Sequence, residues 1–158
     1  MSLPVNFSWV IPGRIAASGL PGYASPFEEE LASLWSVGIR AILTLREDPL
    51  PVYQIDGDRR FAYHHEPMPD HSIPNGFDPI DRAVNYIRQM MNESKPVLVH
   101  CLAGIGRTGM VIASFVAVAE GLSGAEALRF LEMKRGPVDT FAQNEFVASY
   151  VFEKRRLT

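Results

Sequence analysis

Cys101 and Arg107 are separated by five residues, with Gly104 and Gly106 between them and Thr108 directly after, in the stretch VLVHCLAGIGRTGM (97–110). These residue types in this order suit a bound phosphate. Glycines let the backbone turn sharply and bring its N–H groups close to an anion with no Cβ in the way. A helix opening near Arg107 would add the partial positive charge of its N-terminus at the same point. An arginine can clamp two phosphate oxygens at once, which a lysine cannot do. The same positive field favours the thiolate of Cys101 over its thiol, and the thiolate is the nucleophilic form. Thr108 has a hydroxyl within reach of the sulfur. Leu102, Ala103, Gly104, Ile105, Gly106 and Arg107 are therefore the expected phosphate-binding positions, the first five through backbone N–H groups. Cys101 is the expected nucleophile, and His100 is expected to order the loop without a chemical step of its own.

The same stretch spells Gly104-x-Gly106-x-x-Gly109, the letter pattern of a dinucleotide-binding turn. That assignment requires a second strand after the helix, carrying an acidic residue for a ribose. Here everything after the turn reads as helix, and Glu126 falls in a capping box instead. The cysteine assignment accounts for the special residues and the dinucleotide assignment does not.

The loop must be held between a strand and a helix, and both are legible. PVLVH (96–100) is a short apolar strand, and RTGMVIASFVAVAE (107–120) is apolar on nearly every side, as a helix inside a protein is. Earlier, VIPGRIAAS (10–18) predicts two short strands around a Pro-Gly turn. Ser25-Pro26-Phe27-Glu28 predicts a helix capped by Ser25, burying Leu31, Leu34 and Trp35 and ending at Gly38. IRAILTL (39–45) and RFAYHHEPM (60–68) predict strands, with a loop over 46–58 between them. Asp78-Pro79-x-Asp81 opens a helix with Ile80, Val84 and Ile87 inward. Ser123-x-x-Glu126 and Thr140-x-x-Gln143 are capping boxes for two more helices. Lys154-Arg155-Arg156 closes the last of these, where cations suit the helix dipole. Strands alternating with helices predict an α/β domain with a central, largely parallel sheet flanked by helices. A single domain over 1–158 is expected.

Composition narrows the possibilities. The chain has 158 residues, 47% apolar and 21% charged, which is enough for one packed core. No run of apolar residues is long enough to span a membrane. SLPVNFSWVIPG has neither the basic start nor the long apolar stretch of a secretory leader, so a cytoplasmic protein is expected. The net charge of −3 argues against a nucleic-acid surface. One cysteine allows no internal disulfide and no cysteine-rich zinc site.

VHCLAGIGRTG resembles the signature of the protein tyrosine phosphatase superfamily. NFSWVIPGRIAASGLP (6–21) and PVDTFAQNE (137–145) extend the likeness to small atypical dual-specificity phosphatases of the VHZ group, including archaeal and bacterial members. Low-molecular-weight tyrosine phosphatases and arsenate reductases are unlike it, because their Cys-x5-Arg lies near the N-terminus. The resemblance implies a phosphocysteine mechanism with an aspartic acid on a loop ahead of the cysteine. Asp70, 31 positions before Cys101 in a loop stiffened by Pro67, Pro69 and Pro74, matches that acid; Asp48, Asp56 and Asp58 are the alternatives. The family also places a polar side chain near Asp139 and Gln143 to orient the hydrolytic water, although Gln143 equally completes its capping box. His71 stands where VHZ-like proteins carry an aromatic residue, which puts a titratable group at the pocket rim. Leu102 and Ile105 replace the lysines of lipid-cleaving relatives. The implied substrate is a phosphorylated protein or peptide, with phosphotyrosine preferred and phosphoserine and phosphothreonine also cleaved. Neither a metal nor another cofactor is implied, nor a nucleic-acid or membrane partner, and a monomer is expected. The alternatives are a phosphoinositide or RNA 5′-phosphatase on the same scaffold, or a weakly active phosphate-binding pseudophosphatase.

Overall fold

The computed structural model describes residues 1–51 and 61–157. Its elements in chain order are β1 (Ser8–Ile11), β2 (Ile15–Ser18), α1 (Phe27–Ser36), β3 (Ala41–Thr44), β4 (Ala62–His65), α2 (Asp78–Asn92), β5 (Val97–His100), α3 (Gly106–Glu120), α4 (Gly124–Arg135) and α5 (Phe141–Arg156). The strands form one sheet in the order β1-β2-β5-β3-β4. β2, β5, β3 and β4 run parallel, and β1 folds back on β2 as an antiparallel edge. The mixed, mostly parallel sheet with helices on both faces is the α/β architecture expected from the sequence.

The central strands β2, β3 and β5 are buried throughout, as parallel strands covered on both faces must be. Alternation along them divides the core in two. Ala16, Ile42 and Leu98 face α1, where they meet Leu31 and Leu34, with Ile39 from the turn after the helix. Ile15, Ala17, Ala41, Leu43, Val97 and Val99 face the other way, into the core built by α2 to α5. α3 runs through that second core, and every residue from Gly106 to Ala117 is buried. This explains a sequence that is apolar on all sides.

Both predicted capping boxes are present. The Ser123 hydroxyl accepts from the Glu126 N–H at 3.1 Å while the Glu126 carboxylate accepts from the Ser123 N–H at 3.0 Å. Thr140 and Gln143 do the same for α5. The start of α1 differs from expectation. Pro26, not Ser25, is the last residue before the helix, and no side chain caps it. The carboxylate that serves this turn is the buried Glu30, which accepts from the N–H groups of Gly22 and Ser25 at 2.7 and 3.1 Å. Pro26 takes the extended cap conformation itself, which leaves Ser25 one residue too early to reach the first turn. Trp35 is only half-buried, with the Arg40 guanidinium 3.7 Å above its ring. The predicted strand over 60–68 is shorter, and its first residue, like most of the 46–58 loop, lies outside the described residues. Among the described residues no helix is long and apolar enough to cross a membrane.

Candidate active site

The site lies at the C-terminal edge of the parallel strands, where a parallel sheet exposes its loops to ligands. β5 ends at His100 and α3 starts at Gly106, so residues 101–105 bridge a strand end and a helix N-terminus. Cys101 is buried at the floor of this loop. Its Sγ accepts from the Gly104 N–H at 3.3 Å and from the Thr108 hydroxyl at 3.1 Å. Both donors favour a sulfur that carries negative charge.

The loop is shaped from behind, through its carbonyl groups. The Cys101 carbonyl accepts from His100 Nδ1 at 3.1 Å, that of Leu102 from the Leu20 N–H at 2.9 Å, that of Ala103 from Asn6 Nδ2 at 3.2 Å, and that of Gly104 from Arg135 Nη2 at 2.7 Å. In a trans peptide the N–H points opposite to the C=O. Holding four successive carbonyls outward therefore aims the N–H groups of Leu102, Ala103, Gly104 and Ile105 toward the sulfur side, which makes an anion-binding nest. Gly104 is essential to this turn. Its φ is +81°, and a Cβ there would lie 2.5–2.7 Å from the Ser18 and Gly19 backbone.

His100 is fully buried, and burial pulls its pKa down to about 4. It is therefore neutral near pH 7. A carbonyl can only accept, so Nδ1 carries the proton, and Nε2 accepts from the Thr44 hydroxyl at 2.7 Å. The imidazole ties the end of β3 to the loop.

The Arg107 side chain is 2% exposed. Nη1 donates to Glu47 Oε1 at 2.5 Å and to the Met68 carbonyl at 3.2 Å, and Nη2 lies 3.2 Å from Asp70 Oδ1. Nε is buried and has no hydrogen-bond partner among the described residues. The Nη1 side of the guanidinium is thus fixed by protein. The Nε–Nη2 edge holds one unused donor and one donor shared with an exposed carboxylate. A tetrahedral oxyanion fits that edge bidentately. A hydrogen bond from its own backbone, and beyond it the pairing with Arg107, holds the Glu47 carboxyl below the usual range against a smaller effect of desolvation.

Asp70, His71, Cys101, Ile105 and Asp139 line a pocket of about 100 Å3 above the loop. Asp70 reaches it from the segment after β4, and Asp139 from the connection between α4 and α5. The structure brings together Asp70, Cys101, Arg107, Thr108 and the 102–106 backbone. It separates the two candidates for water positioning. Asp139 lines the pocket, whereas the Gln143 amide is buried, with Oε1 on the Thr140 N–H and Nε2 donating to the Ser72 carbonyl at 3.2 Å. Asp48 is exposed beside Glu47, and Asp56 and Asp58 lie outside the described residues. Sequence reasoning missed Glu47, Arg135 and Asn6. Glu47 had a usable signal, a carboxylate just past the C-terminal end of a parallel strand. Arg135 and Asn6 had none, since each reaches the loop from a distant element. Among the described residues no three histidine, cysteine or carboxylate side chains are grouped to share a metal ion.

Residues 16–121 match the family described as "Polymorphic toxin system, DSP-PTPase phosphatase". Human dual specificity protein phosphatase 9 is 30% identical over 108 residues, 68% of this chain and 28% of that protein. An uncharacterized protein of Methanocaldococcus jannaschii is 34% identical over 105 residues, 65% of this chain and 63% of its own. The chain spans only 8 to 28% of the length of the human phosphatases it matches. Among solved structures, Tk-PTP in its active form superposes with a TM-score of 0.81 at 30% identity, covering 94% of this chain and 97% of that one. PTPMT1 in complex with PI(5)P superposes with a TM-score of 0.78, but at 15% identity, a likeness of fold alone. The chain belongs to the tyrosine and dual-specificity phosphatase superfamily, among its small dual-specificity-like members.

Proposed function

We propose that the chain is a single catalytic domain that hydrolyses phosphate monoesters on proteins, phosphotyrosine foremost and phosphoserine and phosphothreonine more slowly. The observation that carries this is the pairing of Cys101, its Sγ held by two donors, with a buried Arg107 whose Nε has no partner among the described residues. In the first step Cys101 Sγ attacks phosphorus, the P–O ester bond breaks, and Asp70 gives its proton to the leaving oxygen. In the second, water attacks the phosphocysteine, Asp70 takes the water's proton, and the S–P bond breaks to release phosphate. Arg107 and the loop N–H groups carry the phosphoryl charge through both steps, and no metal has a part in either. Asp139, rather than Gln143, is the group available to orient the water. A cytoplasmic setting suits a protein whose lone thiol must stay reduced.

Leu102 and Ile105 are 40% and 42% exposed and give the pocket rim an apolar character. This supports a protein substrate over a polyphosphorylated lipid or a 5′-phosphorylated RNA, since neither position offers a cation to extra phosphates. The test is turnover of p-nitrophenyl phosphate by wild type and Cys101→Ser, with chelator present and vanadate as competitor. A panel follows: phosphotyrosyl, phosphoseryl and phosphothreonyl peptides, phosphatidylinositol phosphate vesicles and 5′-phosphorylated RNA. Chelator-resistant, vanadate-sensitive turnover, lost in Cys101→Ser and highest on the phosphotyrosyl peptide, is expected. Phosphate binding without turnover would reassign the loop as a receptor for phosphorylated partners.

A further inference from the structure

Asp70 is held in this structure by a contact that substrate must break. Its Oδ1 lies 3.2 Å from Arg107 Nη2, on the guanidinium edge that a phosphate would occupy. Once Arg107 turns to phosphate, the polar contacts left to Asp70 among the described residues are those made by the next residue. The His71 N–H donates to Asp70 Oδ1 at 3.0 Å, and His71 Nε2 lies 3.5 Å from Asp70 Oδ2. The other face of the same ring is fixed: Nδ1 meets Asp139 Oδ2 at 2.7 Å. His71 has φ +52°, a left-handed turn that aims its ring between the two carboxylates.

From this geometry, and resting on the function proposed above, we infer that His71 is a positioning residue that latches the acid-bearing loop to the start of α5. It bridges Asp70 and Asp139 so that Asp70 stays over the leaving oxygen when Arg107 releases it. Carboxylates only accept hydrogen bonds, so both ring nitrogens donate only in the imidazolium form. Neutral imidazole would turn a lone pair toward one of the two carboxylates. Among the described residues the charged groups in contact with the ring are Asp70 from its own loop and Asp139 from the α4–α5 connection. Behind Asp70 stands Arg107, with Glu47 on its far amino group, and Cys101 lines the same pocket. A second tie, Gln143 Nε2 to the Ser72 carbonyl at 3.2 Å, anchors the backbone beside the latch and leaves the ring to set the carboxyl.

The experiment compares His71→Asn, Asp139→Asn and the double variant with wild type, using aryl phosphates of graded leaving-group ability. Asparagine tolerates the left-handed backbone, and the His71 side chain is 74% exposed, so folding is not at stake. The readout is kcat/KM, which reports P–O cleavage and excludes any part Asp139 has in hydrolysing the phosphocysteine. Asp70→Asn sets the scale of losing the acid altogether. Each single variant is expected to lose about tenfold or more on phenyl phosphate, a fraction of what a general acid contributes, and much less on p-nitrophenyl phosphate. The double variant is expected within about twofold of the worse single, since both ends belong to one bridge. Equal losses on all leaving groups, or additive losses in the double variant, would overturn the latch while leaving the phosphatase standing. Absence of wild-type turnover, or turnover retained in Cys101→Ser, would remove the proposed function and the latch with it.

Discussion

Replacing Gly104 with alanine tests how the phosphate loop is built, because the structure separates two costs that usually come mixed. Gly104 has φ +81°, and an added Cβ would stand 2.5 Å from the Ser18 carbonyl carbon, 2.6 Å from its oxygen and 2.7 Å from the Gly19 nitrogen. Gly13 has a similar φ of +72° with nothing within 4 Å of its Cβ site, so Gly13→Ala isolates the backbone cost. A left-handed L-residue costs about 1–2 kcal/mol, offset in part by a less flexible unfolded chain, for a net loss of about 1 kcal/mol. At Gly19 the φ is ordinary, but a Cβ would meet Val5 Cγ2 at 2.6 Å and the Leu102 carbonyl oxygen at 2.7 Å. Gly19→Ala therefore isolates overpacking, about 1–3 kcal/mol. Gly104→Ala combines both, for about 2–4 kcal/mol. The colliding atoms are backbone on both sides, so the loop must move. It then loses the Gly104 N–H to Cys101 hydrogen bond, and displacement on the order of 1 Å at a reacting centre costs about 10²-fold in rate. Urea unfolding and p-nitrophenyl phosphate turnover on the three variants check this. Gly13 sits at the far end of β2, and Gly13→Ala should keep full activity. If Gly104→Ala is no less stable than Gly13→Ala and turns over within about threefold of wild type, a range far short of that displacement cost, the close approach of the loop to β2 does not shape the site.

Arg107→Lys keeps the charge but cannot present the Nε–Nη2 edge. Losing two charge-assisted hydrogen bonds of about 1.5–3 kcal/mol each predicts a fall in kcat/KM of about 10²–10⁴, and a loss below about tenfold would refute bidentate clamping. His100 predicts a pH dependence of stability. Folded His100 resists protonation until about pH 4, whereas the unfolded side chain takes up its proton near pH 6.5. Its contribution is thus complete above pH 6.5 and is lost as pH falls toward 4, amounting to about 3 kcal/mol. The stability difference between wild type and His100→Asn should shrink by that amount across the window, and a constant difference would mean that His100 is not held neutral by burial.

The features legible in the sequence are those whose partners are local. Ser123 with Glu126, and Thr140 with Gln143, are pairs three residues apart on one helical turn, so their geometry follows from the helix itself. The site's inner surface is contiguous for the same reason: Cys101, the N–H groups of 102–105, Arg107 and Thr108 come from one strand–loop–helix passage. The cap of α1 was misplaced on Ser25, because the group that serves this turn is Glu30, which reaches N–H groups five and eight residues back through a turn that no helix rule describes. On the outer surface of the loop only the contact of His100 with the neighbouring Cys101 carbonyl is local, and the donors to the next three carbonyls were not legible. Once the N–H groups turn inward, each carbonyl must find a donor on whichever element passes behind it. For Ala103 that is Asn6, 97 residues away, and for Gly104 it is Arg135, 31 residues away. Arg135 also donates to the Ser8 hydroxyl and the Ala17 carbonyl, so one guanidinium sets the loop's position relative to β1 and β2. Nothing in the residue types of Asn6 or Arg135 marks this work, since an asparagine or arginine in a loop or at a helix end is ordinary. The motif therefore specifies which atoms meet the phosphate, while the precision with which they meet it is distributed over residues that share no pattern with one another.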